Sequence, residues 1–311
     1  MRSSGRRYIN TLIPTIIFLS VLIMKQSAQT RRDLKIREIE TGLFEIRLDN
    51  ISLRVTREGG KIISLKFDEQ EMLTQKNVHG MYGSTLWPDP QSSWNWPPPQ
   101  VLDENAYDGG IKGDSISLIS GRDEKNGWQF EKVFSADAKD SSIKICYRII
   151  NISDAAKSVG PWEITRVPYS GLSFFRGGEP AGLPASDLNT IIIGNGIVWY
   201  APDNIPFPGG KKFFATEKGG WLAYVYKNIL LVKKFPIINL KYLAKGQGAI
   251  EIYSQGDMTY TEIENHGENK SLAPGESMEY NVRWYLRKLP PGIEPVPQND
   301  RLVLEVEKII K

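Results

Sequence analysis

Ile51-Ser52-Leu53-Arg54-Val55-Thr56, then Gly59-Gly60, then Ile63-Ser64-Leu65-Lys66-Phe67: apolar and polar residues alternate on both sides of a glycine pair. A period of two places one set of side chains against a core and the other toward water, which is the pattern of a half-buried strand. The glycines between the runs supply the positive φ angles of a tight connection. The same alternation returns in Ser115–Leu118, Trp128–Phe134, Ile143–Ile149, Ala249–Tyr253 and Tyr280–Trp284. Segments of this kind build antiparallel sheets with one wet face. Helical spacing is scarce between residues 40 and 290, and no unit of roughly 20–50 residues repeats, which disfavours solenoids and propellers. The reading is all-β, a large antiparallel β-sandwich or a barrel. Leu302–Ile310 fits a short terminal helix and a last strand equally well.

The 311 residues are 41% hydrophobic and 24% charged, which fits a packed globular body and excludes a disordered chain or a multispanning membrane protein. Lysine and arginine exceed aspartate and glutamate by only 39 to 36, and the basic residues are scattered, so nucleic acid is not expected as a partner. A single cysteine, Cys146, and two histidines, His79 and His266, give no basis for a disulfide or a Cys/His metal centre. Neither a metal nor a cofactor is expected. Residues 1–28 carry Arg2, Arg6 and Arg7, an apolar stretch from Leu12 to Met24, and the small residues Ser27 and Ala28, the order of a signal peptide. Gln26 stands where a small residue is preferred, which leaves an uncleaved anchor as the alternative. The expectation is an exported protein, periplasmic or secreted, with no integral membrane partner. Its organisation would be a linker over 29–39, the sandwich over 40–290 and a tail over 291–311.

Three segments interrupt the alternation. Gly83–Pro99 holds Trp87, Trp94 and Trp96 among Asp89, Gln91, Asn95 and five prolines, and reads as a long loop with a stiff, extended end. Indoles beside Asp, Asn and Gln suit a sugar ring, whose C–H face is apolar and whose hydroxyls need hydrogen-bond partners. The same indoles would serve equally as a plug over one end of the core. In Gly160–Gly171, an extended chain puts Trp162, Ile164 and Arg166 on one face. An arginine there grips a ligand carboxylate or paired hydroxyls, or forms a structural ion pair. In Met258–Gly267, Tyr260, Glu262 and Glu264 share a face, and two carboxylates about 7 Å apart make a candidate for tuned acid/base work or a solvated charged face.

The runs Asp49–Val55 and Gly59–Leu65, and the Glu262 segment followed by Leu272-Ala273-Pro274-Gly275-Glu276-Ser277, resemble the galactose mutarotase-like superfamily, which includes the aldose 1-epimerases. The loop Leu86–Gln91 with Trp94–Pro98 resembles its exported DUF4380-type branch. The resemblance covers residues 40–290 and implies a β-supersandwich with a saccharide ligand and no cofactor. It implies Glu262, or Glu264 in the alternative register, as the general base on the anomeric hydroxyl. As the polar and aromatic breaks in otherwise regular strands, Trp87, Asp89, Trp94, Trp96 and Arg166 are expected to border the pocket as substrate-binding residues with Glu262, and the resemblance adds His79 as a remnant of the family's earlier histidine. The family's proton-donating histidine has no counterpart in Trp162–Gly171, where Arg166 stands instead, and a guanidinium binds oxygen but is a poor proton donor. The functional expectation is therefore a carbohydrate-binding protein, either an aldose epimerase or a non-catalytic module. A glycosidase or lyase ranks third, since two glutamates on one strand do not flank a bond.

Overall fold

The computed structural model describes residue 1 and residues 33–178, 187 and 190–311. Nearly all of the expected signal sequence lies outside the described residues. The body, residues 32–311, forms one unit. In chain order its strands are β1 (Leu34–Glu40), β2 (Leu43–Leu48), β3 (Ile51–Thr56), β4 (Ile62–Phe67), β5 (Gln70–Glu71), β6 (Ser84–Asp89), β7 (Asp108–Lys112), β8 (Ser115–Ile119), β9 (Trp128–Asp137) and β10 (Ser142–Asn151). They continue as β11 (Lys157–Pro168), β12 (Leu172–Gly178), β13 (Ile191–Gly194), β14 (Ile197–Tyr200), β15 (Gly210–Tyr226), β16 (Ile229–Lys234), β17 (Ile250–Gln255), β18 (Tyr260–His266), β19 (Lys270–Leu272) and β20 (Ser277–Lys288). The helices are α1 (Gln100–Asp103) and α2 (Asp300–Ile310).

All pairings are antiparallel. One sheet runs β1-β2-β3-β4-β6-β11-β18-β17-β15. The other runs β7-β8-β9-β10-β20-β16-β15-β12-β14-β13. β15 belongs to both, pairing with β17 through Gly210–Ala215 and with β16 through Trp221–Tyr226. Ile46, Leu53 and Ile263 from the first sheet and Phe130, Ile145 and Val282 from the second share one buried core. The all-β sandwich expected from the alternation is present, and every segment singled out by it is a strand.

The glycine pair does more than turn the chain. Gly59 and Gly60 have φ of +64° and +54°, and a Cβ on Gly59 would lie 1.9 Å from the Asp103 carbonyl oxygen. Beneath them is a lysine in the core: Lys132 is 0% exposed and its ammonium donates to the Gly59 carbonyl at 2.7 Å. Burial pushes its pKa down to about 7, against the pull of Asp103.

Two boundaries differ from the sequence reading, and Leu302–Ile310, read equally as helix or strand, is helical. Residues 34–39, expected as linker, form most of β1, because Leu34 and Ile36 begin an alternation that slips at an irregularity between Glu38 and Glu40. The tail carries α2, capped by the Asn299 side chain, with Leu302, Val303 and Val306 buried. The first part of the expected loop, Ser84–Asp89, is a fully buried strand against β11. Pro88 is tolerated because it faces Pro161 directly, and β6 meets β4 only at Ser84, so no strand needs its missing N–H.

Candidate functional site

The first sheet turns its second face away from the core, and there β15, β17, β18, β11 and β6 bring a separate set of side chains together. Register places Trp162 opposite Trp87 on one side and His266 on the other. Arg166 faces Glu262, and Ile164 faces Glu264. On the next strand Tyr253 faces Glu262 and Glu251 faces Glu264, while Lys212 of β15 faces Tyr253. Trp87, Trp94, Trp162 and Ile164 pack into a small apolar cluster of their own.

Over this face lies a cavity of about 300 Å3 lined by Met81, Trp87, Gln91, Trp96, Trp162, Lys212, Tyr253, Tyr260 and Glu262. That is the low end of ligand pockets, which span about 300–1,000 Å3, and suits a single sugar ring. A larger depression of about 630 Å3 lies on the outer face of β9, β10 and β20. Its cations are already engaged, Arg283 with Asp140 and Lys234 with the Ile310 carbonyl, and Lys144 lies 3.7 Å from Asp137. The smaller cavity is the candidate because aromatic faces, a carboxylate and an ammonium converge on it.

The tryptophans divide between plugging and lining. Trp94 is 7% exposed, and its indole N–H donates to the Pro88 carbonyl at 2.6 Å, so it is a plug. Trp87 is buried and donates to Asp103 at 2.9 Å, with Trp94, Trp96 and Trp162 all edge-on to its ring. Trp96 is 58% exposed and forms part of the cavity rim.

Arg166 is buried behind the lining. Its Nε lies 2.8 Å from Glu262 Oε1, its Cζ 5.3 Å from the Trp87 ring centroid, and its Nη1 reaches the Tyr82 carbonyl at 3.5 Å. Its charge is thus spent on Glu262 and an indole face. Glu262 itself reaches the cavity. Tyr253 and Tyr260 beside it are kept neutral, their pKa values raised by burial first and by the Glu262 carboxylate next.

Behind Trp162 sits a buried polar group. The Lys212 ammonium lies 2.7 Å from Glu251 and 3.5 Å from Glu264. The Trp162 indole donates to Glu264 at 2.6 Å, and its ring stacks on His266, centroids 5.2 Å apart. His266 Nδ1 lies 3.2 Å from Asp89. Burial pushes the Glu264 carboxyl up to about 8, with Lys212 opposing and Glu251 adding to the rise. Burial works against a charged His266, but Glu251 and Asp89 outweigh it and raise its pKa. Burial likewise opposes charge on Lys212, and Glu264 and Glu251 raise it regardless.

Of the residues expected at the site, Trp87, Trp96 and Glu262 line the cavity. Arg166, Asp89, Trp94 and Glu264 are buried behind it. His79 stands off the lining, its ring 4.8 Å from that of Tyr260 and its Nδ1 accepting the Met81 N–H. Lys212, Glu251, Tyr253 and His266 were not singled out from the sequence. Tyr260 was placed on the right face without a role.

No family model matches the chain, and no curated protein matches it in sequence. Its architecture does match solved structures. A galactose mutarotase-like protein from Lactobacillus casei is 10% identical with a TM-score of 0.57, over 79% of this chain and 100% of that one. The chain has the galactose mutarotase-like fold. A galactose mutarotase related enzyme from Lactobacillus acidophilus aligns at a TM-score of 0.55 and 11% identity, over 80% of this chain and 98% of its own. A galactose mutarotase-like protein from Clostridium acetobutylicum gives 0.53 and 13%, over 83% and 99%. At these identities the likeness is one of fold, and within the mutarotase-like fold the side chains of the cavity must carry any functional reading.

Proposed function

We propose that the protein binds a monosaccharide ring in the 300 Å3 cavity, stacked on the exposed Trp96 indole and held by Glu262, Lys212 and Tyr253. The observation that carries this reading is the convergence of indole faces with one carboxylate and one ammonium in a space the size of a single ring. The fold shared with galactose mutarotase-like proteins supports it, and the basic, apolar amino-terminal sequence supports a ligand met outside the cytoplasm.

A catalytic form of the same reading is favoured by Glu262 sharing the cavity lining with two neutral tyrosines, Tyr253 opposite it and Tyr260 two residues before it. The Glu262 carboxylate takes the proton of the anomeric hydroxyl while a tyrosine O–H gives one to the ring oxygen. The bond between the anomeric carbon and the ring oxygen breaks, the carbonyl forms, and reclosure on its other face returns both protons. The group facing the ring oxygen would be a phenol, where the epimerases of the family use a histidine that this sequence lacks in Trp162–Gly171.

A monosaccharide screen followed by NMR of anomer exchange tests both forms. Exchange accelerated by wild type and lost in Glu262→Gln and Tyr253→Phe supports the epimerase. Binding without acceleration supports the sugar-binding module. Absence of binding to any monosaccharide overturns the reading.

A further inference from the structure

We infer that Glu251, Glu264 and His266 form a site for one divalent metal ion of the zinc or manganese class, set behind Trp162 in the wall of the cavity. Like charges directly opposite on neighbouring strands destabilise a sheet, yet Glu251 and Glu264 are such a pair, and both are wholly buried. One ligand atom from each of the three residues lies within 4.8 Å of the other two. The separation of His266 Nε2 from Glu251 Oε1 is 3.4 Å. Bonds of about 2.1 Å in a tetrahedral set put ligand atoms about 3.4 Å apart, so that edge is already in place.

Each residue commits one atom outward and leaves another facing in. Glu251 Oε2 takes the Lys212 ammonium, Glu264 Oε2 takes the Trp162 N–H, and His266 Nδ1 meets Asp89. The atoms left over are Glu251 Oε1, which also accepts the Gly248 N–H, Glu264 Oε1 and His266 Nε2. The last two have no hydrogen-bond partner among the described residues, although both side chains are fully buried. Buried acceptors without partners are costly, and an ion would satisfy them together.

Charge is compatible with an ion once the ligands are in their metal-binding forms. Asp89, Glu251 and Glu264 are three carboxylates facing one ammonium, Lys212, while Glu262 is matched by Arg166. With Glu264 ionised and His266 neutral, the forms in which they would ligate, the excess is two negative charges, which one divalent ion cancels. Without an ion, the raised pKa values of both groups let protons take that place. A carboxylate on the far nitrogen is the usual outer partner of a metal-bound histidine. One imidazole nitrogen with two carboxylates suits zinc or manganese better than an all-oxygen calcium site. Trp162, bonded to Glu264 and stacked on His266, would be locked in place by the ion, and with it one wall of the cavity.

The test uses the whole protein, stripped with chelator and titrated with Zn2+ by calorimetry. A parallel Mn2+ sample is read by pulsed electron paramagnetic resonance. One ion per chain, a raised melting temperature and coupling to a single imidazole nitrogen are expected. Asp89→Asn is expected to weaken binding about 10- to 100-fold, and Glu264→Gln at least as much. Wild type that takes up no stoichiometric ion, or a bound Mn2+ without nitrogen coupling, overturns the site whether or not the variants fold. Undiminished affinity in folded Asp89→Asn and Glu264→Gln overturns it as well.

Discussion

The ammonium of Lys212 lies 2.7 Å from a carboxylate oxygen of Glu251 and is the only lysine or arginine among the described residues within ion-pair distance of that side chain. Removing one partner of a buried pair leaves an uncompensated charge, at a cost of about 3 kcal/mol or more. Lys212→Met is expected to lower metal-free stability by about that amount, read as a lower urea midpoint with an unchanged slope. Adding Glu264→Gln to Lys212→Met should recover part of the loss, because the two changes act on one network.

The two indoles of the 90–99 segment should respond differently to truncation. Trp94→Ala empties a packed site and should cost about 3–5 kcal/mol of stability. Trp96→Ala removes a rim face and should leave unfolding unchanged, while weakening monosaccharide binding by about tenfold, equivalent to about 1.4 kcal/mol. Thermal melting and calorimetry separate the two.

Lys132 predicts the pH dependence of folding. Its folded pKa, about 7, lies below the ordinary lysine value, so between pH 7 and that value the unfolded chain binds more protons than the folded one. The lysine's contribution to stability is therefore full above its unfolded pKa and lost as pH falls through about 7. The urea midpoint should rise from pH 7 to 9.5, and Lys132→Met should flatten that rise. A midpoint that falls over this range in wild type but not in the variant contradicts the assignment.

Ending the chain before Asn299 removes α2 and uncovers the surface that Leu302, Val303 and Val306 bury. Each is worth about 1.5–3 kcal/mol when fully buried, so the shortened protein should melt well below the whole chain. Equal melting temperatures would show that the helix contributes little to the body.

Much of this architecture is legible in the sequence because its strands are half-buried and alternate cleanly, as in Ile143–Ile149. The same period put Arg166 with Trp162, and Tyr260 with Glu262 and Glu264, on their correct faces. Ser84–Asp89 was misread because Pro88 within it and Pro90 just after it suggest a loop, and nothing local reveals that Pro88 lies opposite another proline. Lys212 was missed because Gly210-Lys211-Lys212-Phe213-Phe214 does not alternate, and its partners are set by pairing with β17. Asp89 was expected to meet ligand. It meets His266 instead, a contact between positions 177 residues apart that no local pattern encodes.

That separation bears on how the protein comes into being. Trp162 meets Glu264 across 102 residues and Asp89 meets His266 across 177, so the wall of the cavity is closed by some of the last strands synthesised. Contacts this distant in sequence form slowly, because loop closure comes before any gain from pairing. A nascent chain that has emerged only as far as β16 has Trp87, Trp162 and Lys212 but no His266 and no Glu262 to pair with Arg166. The nascent chain thus carries the indole side of the cavity before its acidic side, and the cavity is complete only when β17 and β18 have joined the sheet.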